Sequence, residues 1–236
     1  MGRKTATFGA RRKVVYSPDR WRILERKRER AMEIMERLEA YSIPSIVYGS
    51  VARGDATPQS DVDVFVIKKT PSYLIELALG DLITQRKIVQ ATPNYAVKGE
   101  ISLGHNTAVS FPLVSLKSRE MEFYNFGGAL NLGGLHQKKR VPGVDKRLML
   151  ILPTEEGHEE IPILDLDDIE LARTLKTGLE IIEERKRVLE KRRETGRTGV
   201  FLSVAVPEDE SFESYLERIA RRNPVLRKRL AEEPKR

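Results

Sequence analysis

Apolar residues recur at helical spacing along the first stretch of strong pattern, Arg20 to Tyr41, with Ile23, Leu24, Ala31, Ile34, Met35 and Leu38 on one stripe. Ser17-Pro18-Asp19 just ahead reads as a helix start, a capping hydroxyl followed by proline at the first helical position. Ile43 to Val47 is a short apolar run leading into Gly49-Ser50, where a second helix can begin. Asp61 to Lys68 alternates polar and apolar at its beginning and reads as a strand. Ser72 to Ile83 reads as a helix, Tyr95 to Leu103 and Thr107 to Leu116 as strands joined at Gly104-His105-Asn106, and Ser118 to Phe126 as a short helix.

Gly133, Gly134, Pro142 and Gly143 break the pattern between Leu130 and Val144, and a domain boundary is expected there. Beyond it, Lys146 to Pro153 reads as a strand. Asp167 to Lys176 and Leu179 to Arg193 read as two helices split by Thr177-Gly178. Gly199 to Val206 reads as a strand and Ser211 to Arg222 as a helix. The expected organisation is α+β: a basic tail (1–16), a first domain (17–129), a linker (130–145), a smaller second domain (146–222) and a charged, frayed tail (223–236).

The 236 residues carry a net charge of +7, concentrated in Arg11 to Arg30 and Arg185 to Arg197. Such clusters attract polyanions, nucleic acid or nucleotide phosphates, although the interleaved Glu residues suit a solvated helix face equally well. No cysteine is present, which excludes a disulfide framework and a thiolate metal site. No apolar run approaches the roughly 20 residues of a membrane helix, and the basic N-terminus lacks the apolar stretch of a signal peptide. A cytoplasmic protein without membrane association is expected. The abundance of Lys, Arg and Glu also resembles a thermophile's composition.

The chemistry is concentrated in Gly49-Ser50-Val51-Ala52-Arg53-Gly54 followed by Ser60-Asp61-Val62-Asp63. A Gly-Ser pair opening a helix lets backbone and hydroxyl donors approach a phosphate. Arg53 adds a nearby cation, and Gly54 allows a tight exit. In a strand Asp61 and Asp63 share a face, and two adjacent carboxylates repel unless a cation lies between them. Magnesium favours oxygen ligands and takes few from protein when phosphates supply the rest, so the pair suits two-metal phosphoryl transfer.

Gly-Ser, then Ala-Arg-Gly, then Ser-Asp-x-Asp running into an apolar strand resembles the minimal nucleotidyltransferases of the DNA polymerase beta superfamily. The sharp motif covers Tyr48 to Ile67, and the surrounding pattern extends the likeness to about Gly128. The whole chain also resembles archaeal proteins that carry this domain. The resemblance implies transfer of a nucleoside monophosphate from a nucleoside triphosphate to a nucleic-acid or protein acceptor, with Mg2+ or Mn2+. It assigns Gly49, Ser50 and Arg53 to the triphosphate, and Asp61 and Asp63 to metal and catalysis.

The family usually places a third carboxylate on a later strand. Here Thr107, Val109 and Phe111 on one face of the candidate strand, and Ala108, Ser110 and Pro112 on the other, offer no acid. Glu122 is the candidate third acid. Glu100 and Glu120 are the other nearby carboxylates, and Glu120 and Glu122 also read simply as solvated helix positions. A regulator that binds nucleotide and nucleic acid with impaired catalysis is therefore the alternative. His105, His136 and His158 are scattered through loops without ligand spacing. Tyr16 and Trp21 suit either stacking on a base or packing.

In the second domain, two helices followed by Thr195-Gly196-Arg197-Thr198-Gly199 and a strand resemble a winged helix, with Lys186, Arg187, Lys191, Arg192, Arg193 and Arg197 facing the phosphates of RNA or DNA. A helical hairpin packed on the rest of the protein is the plainer reading. Arg192, Arg193 and Arg197 are the candidate nucleic-acid contacts. The sequence leaves the acceptor, base preference and oligomeric state open.

Overall fold

The structure, a computed structural model, describes residues 10–196 and 199–233, apart from the side chains of 192 and 193. The order is β1 (Arg12–Val15), α1 (Pro18–Glu39), β2 (Ser45–Tyr48), α2 (Ser50–Arg53), β3 (Val62–Val66), α3 (Ser72–Leu79), β4 (Gln85–Gln90), β5 (Lys98–Ser102), β6 (Thr107–Pro112) and α4 (Ser118–Gly127). Then come β7 (Ala129–Asn131), α5 (Leu132–His136), β8 (Gly143–Val144), β9 (Met149–Thr154), β10 (Gly157–Pro162), α6 (Asp168–Leu175), α7 (Leu179–Thr195), β11 (Leu202–Ala205), α8 (Phe212–Ala220) and α9 (Pro224–Ala231).

The fold is mixed α and β, and its two compact units are discontinuous in sequence. One comprises the described residues of Met1–Met32, Val47–Val62 and Met121–Thr198. The other comprises those of Glu33–Ile46, Asp63–Glu120 and Gly199–Arg236. The stretch 130–145, expected as a linker, holds β7, α5 and β8.

In the first unit an antiparallel sheet runs in the order β1-β10-β9-β8. The β9–β10 hairpin pairs Thr154 with Gly157 and Met149 with Pro162. β1 adds to its edge, Arg12 opposite Glu160, so part of the expected N-terminal tail is a strand. Leu148, Leu150 and Ile163 form a core with Leu171 and Leu175 of α6 and Ile182 of α7. The Asp167 carboxylate caps α6 by accepting from the Ile169 and Glu170 N–H groups at 2.9 and 3.1 Å, and Lys176 ends that helix in the left-handed conformation (φ 53°). The helical pair is thus a hairpin sharing a core with strands of its own unit.

In the second unit the strands follow the order β11-β4-β5-β6-β3. The strand expected as a wing, β11, pairs instead with β4, Leu202 opposite Gln90 and Ala205 opposite Lys87. That pairing is not legible in the sequence, because β4, Gln-Arg-Lys-Ile-Val-Gln, has only two apolar residues and shows no strand pattern. On the buried face Phe111 of β6 meets Phe212 of α8 edge to face, with ring centroids 5.0 Å apart.

The described part of the tail expected to fray, residues 223–233, is folded against the rest of the second unit. Asn223 caps α9, Leu226 is buried, and Glu233 accepts from Ser115 N at 2.6 Å and from Lys69 Nζ at 2.7 Å. The Phe212 side chain is fully buried, so Phe212→Ala should lower stability by about 3–5 kcal/mol in denaturant unfolding. A loss below about 1 kcal/mol would mean that α8 does not close this core.

Candidate active site

β2 delivers the chain into a turn whose backbone only glycine adopts easily at both ends. Gly49 has φ 76° and ψ −143°, and a Cβ built there would meet nothing within 4 Å. Gly54 has φ 94°, and its Cβ would lie 2.3 Å from Cδ of Arg140. Between them α2 makes a single turn, with Gly49 O accepting from Arg53 N at 3.0 Å and Ser50 O from Gly54 N at 2.8 Å. Gly49 N donates to Gly128 O at 2.9 Å. Ser50 is half-buried, while Val51 and Ala52 are fully buried and anchor the turn.

Two buried guanidinium groups hold this turn from beneath. Arg28 of α1 donates to Val51 O at 3.1 Å and to Ala52 O at 3.0 Å, satisfying carbonyls that a one-turn helix cannot pair itself. Burial, and then the charge of Arg140, lower its pKa to about 10. Arg53 forks onto Asp55 with two bonds of 3.0 Å and donates to Gly127 O at 2.7 Å. Its side chain is only 7% exposed. The guanidinium expected to meet a phosphate is bonded inward here, to Asp55 and Gly127 O, and fixes the turn's exit.

After the turn, Thr57 N donates to Ser60 Oγ at 2.9 Å and Lys27 Nζ donates to Ser60 O, fixing the approach to β3. Asp61, one residue ahead of the strand, is exposed, and Asp63 within it is half-buried. Val62 and Val64 between and beyond them are buried. The alternation keeps both carboxylates off the core.

Glu122 accepts from Gly178 N at 2.8 Å, at the entry to α7. Glu120, expected in solvent, is instead buried, accepting from the Ala96 N–H and from Lys117 N at 2.8 Å. Glu100 is half-buried on β5, opposite Ser110 of β6. Among the described residues no group of three His, Asp or Glu is gathered to hold a metal ion. Lys186, counted among the phosphate-facing bases, is ion-paired with Asp168. Arg197 and the side chains of Arg192 and Arg193 lie outside the described residues.

A buried polar chain that the sequence did not reveal ends at the turn. The Tyr16 hydroxyl donates to Gly54 O at 2.9 Å and lies 2.6 Å from His158 Nδ1. His158 Nε2 lies 3.2 Å from Glu160 Oε1, and Glu160 also pairs with Arg12 at 2.7 Å and Arg147 at 2.6 Å. His158 therefore stands in a strand, not a loop. Tyr16 packs against Trp21, the rings tilted at 58° with centroids 4.8 Å apart. Both His158 and Glu160 sit in β10, whose Gly-His-Glu-Glu-Ile-Pro run has no apolar alternation to expose it.

These groups set a pH dependence. Burial pushes the Tyr16 hydroxyl up to about 12 and holds His158 below its ordinary 6.5. Burial opposes ionisation of Glu160, but the bonds from Arg12, Arg147 and His158 prevail and bring it to about 2, from 4.5. Both shifts have one sign: the unfolded chain takes up protons first as pH falls, so stability drops in acid. Glu160 contributes fully above pH 4.5 and loses its contribution as pH falls toward 2, on the order of 3 kcal/mol in all. Unfolding of wild type between pH 5 and pH 2 should therefore be steeper in pH than that of Glu160→Gln. Parallel pH profiles would remove Glu160 from this role.

Residues 28–112, which include the turn and the aspartate pair, match the family model described as a nucleotidyltransferase domain. The match agrees with a minimal nucleotidyltransferase of the polymerase beta superfamily. No curated protein and no solved structure is matched by the chain.

Proposed function

We propose that the nucleotidyltransferase domain carried by this chain moves a nucleoside monophosphate from a nucleoside triphosphate to an acceptor, with Asp61 and Asp63 as the metal-binding and catalytic pair. The observation that carries this reading is the order in the chain: a glycine turn with open space above Gly49, a short fixed loop, then two carboxylates kept off the core. Their donor set fits Mg2+ or Mn2+, since hard cations that retain water and take phosphate oxygens need few protein ligands. A bound divalent ion would supply charge neutralisation and activation of the attacking oxygen.

The chain's own residues do the rest. The Gly49 backbone, free of any Cβ, allows close approach of a phosphate, and Ser50 offers a hydroxyl beside it. Arg28 and Arg53 keep that backbone in one conformation, so little reorganisation is needed when charge arrives. A net charge of +7 favours a polyanionic acceptor, RNA or DNA.

A second reading, a nucleotide-binding regulator with little or no turnover, is favoured by the lack of a third acid gathered with the pair among the described residues. One experiment separates the two readings. Wild type and Asp61→Asn/Asp63→Asn are incubated with labelled nucleoside triphosphates, Mg2+ or Mn2+, and RNA, DNA or protein acceptors, while magnesium-dependent triphosphate binding is followed by calorimetry. The enzyme reading expects labelled product with wild type and at least a hundredfold less with the double variant, a loss of roughly 3 kcal/mol of transition-state stabilisation. Binding lost in the variant with no product from wild type supports the regulator. Unchanged magnesium-dependent binding in the variant removes the aspartates from the site.

A further inference from the structure

We infer that His158 and Tyr16 form a proton switch on the exit of the glycine turn: with His158 protonated the Tyr16 hydroxyl is tied to Gly54 O, and with His158 neutral it is released to the imidazole. Glu160, His158, Tyr16 and Gly54 all belong to the first unit. The number of hydrogens in the chain decides the matter. The chain runs from Glu160 Oε1 to His158 Nε2 (3.2 Å), from His158 Nδ1 to the Tyr16 hydroxyl (2.6 Å), and on to Gly54 O (2.9 Å). Its two ends, a carboxylate and a carbonyl, only accept. Three contacts between them need three hydrogens. A neutral imidazole and a phenol bring two, one N–H and one O–H, and the imidazolium brings the third.

When His158 is neutral one contact goes unmade, and charge selects which. A lone pair on Nε2 would face the Glu160 carboxylate, exchanging a charge-assisted bond for repulsion. The single ring hydrogen therefore stays on Nε2 and Nδ1 becomes an acceptor. The Tyr16 hydroxyl turns to it, and Gly54 O loses this donor. Tyr16 keeps its own hydrogen throughout, since burial pushes its pKa up to about 12.

The charges around the pair set the direction. Burial holds His158 below its ordinary 6.5; Glu160 and Asp55 oppose that, and Arg20 adds to it. Arg12 and Arg147 pair with Glu160 from its other sides, and Arg20, Asp55, Arg140 and Arg53 stand around Tyr16. The tie is thus made on the acid side of neutrality and released above it. It fixes the plane of the Gly54–Asp55 peptide, by which the chain leaves the turn. A released peptide leaves the turn more conformations, so a ligand that needs one of them binds more weakly. That this ligand is a nucleoside triphosphate rests on the nucleotidyltransferase reading above.

The test uses the full chain, isotopically labelled, from about pH 8 to about pH 5, the range in which histidine changes charge. NMR follows the His158 ring nitrogens and the Gly54 carbonyl carbon in wild type and Tyr16→Phe. In wild type both should titrate with one midpoint, below 6.5, with Nδ1 gaining a hydrogen in acid and Nε2 keeping its own. In Tyr16→Phe the ring should still titrate and the Gly54 carbonyl should not move. Wild type alone decides if the variant does not fold. A Gly54 carbonyl that is still while His158 titrates, a neutral ring with its hydrogen on Nδ1, or a His158 fixed in one state across the range overturns the switch.

Binding of a non-hydrolysable nucleoside triphosphate analogue with Mg2+ is titrated over the same range. The affinity of wild type relative to Tyr16→Phe should rise about threefold or more toward acid, a ratio in which protonation of the analogue itself cancels. A flat ratio overturns control of the ligand by the switch. If wild type binds no triphosphate, the nucleotidyltransferase reading falls, and the Gly54 spectrum still decides the switch.

Discussion

The turn from Gly49 to Gly54 depends on two guanidinium groups that never reach solvent. A single turn of helix leaves its carbonyls without partners, and α2 has only four residues. Arg28 supplies donors to two of those carbonyls, and Arg53 ties the exit to Asp55 and Gly127. Replacing either would leave buried acceptors unsatisfied, which costs more than the bonds themselves contribute. Around this point the first unit assembles its other polar contacts. Tyr16 reaches Gly54 O, and Arg140 packs where a Cβ on Gly54 would stand while donating to Gly157 O at 2.7 Å. The turn is thus held by a preformed scaffold of charge, which suits a backbone meant to receive an anion without moving.

Electrostatic economy runs through the same region. Four arginines, Arg20, Arg28, Arg53 and Arg140, lie around Tyr16 and Gly54; Arg53 pairs with the Asp55 carboxylate, and the other three donate to backbone carbonyls, Arg20 to that of Asp55 itself. Aromatic faces share the load: Arg20 lies 4.2 Å from the Tyr16 ring centre and Arg140 4.8 Å from that of Trp21. This local excess of positive charge raises the potential at the turn, which favours the phosphate contact proposed for it. This is a different role from direct contact, and Arg53 illustrates the distinction.

Much of this was legible in the sequence because it obeyed period rules. The stripe on α1, the capping Ser-Pro-Asp at its start, the strand character of β3 and the glycine pair around α2 all follow from local spacing, and the aspartates sit off the core as alternation requires. What was illegible depended on pairing at a distance. β4 and β10 carry polar residues whose partners are more than a hundred residues away or on neighbouring strands, as with Glu160 and Arg12. Their burial is stabilised by charge pairing, which leaves no hydrophobic signature. β11 was visible as a strand, but its neighbour β4 was not, so their pairing could not be read. The inward bonds of Arg53 were illegible for another reason: proximity in sequence to a motif does not reveal where a long side chain points.

The proposed function requires one nucleotide to meet both the Gly49–Gly54 turn and the Asp61–Asp63 pair. A crystal structure of the full chain with a non-hydrolysable nucleoside triphosphate and Mn2+, its anomalous signal locating the metal, tests this most directly. The account predicts phosphate oxygens against Gly49 and Ser50, manganese bound by Asp61 and Asp63, and Arg53 still paired with Asp55. Phosphates bound elsewhere, or manganese located away from both aspartates, would contradict it.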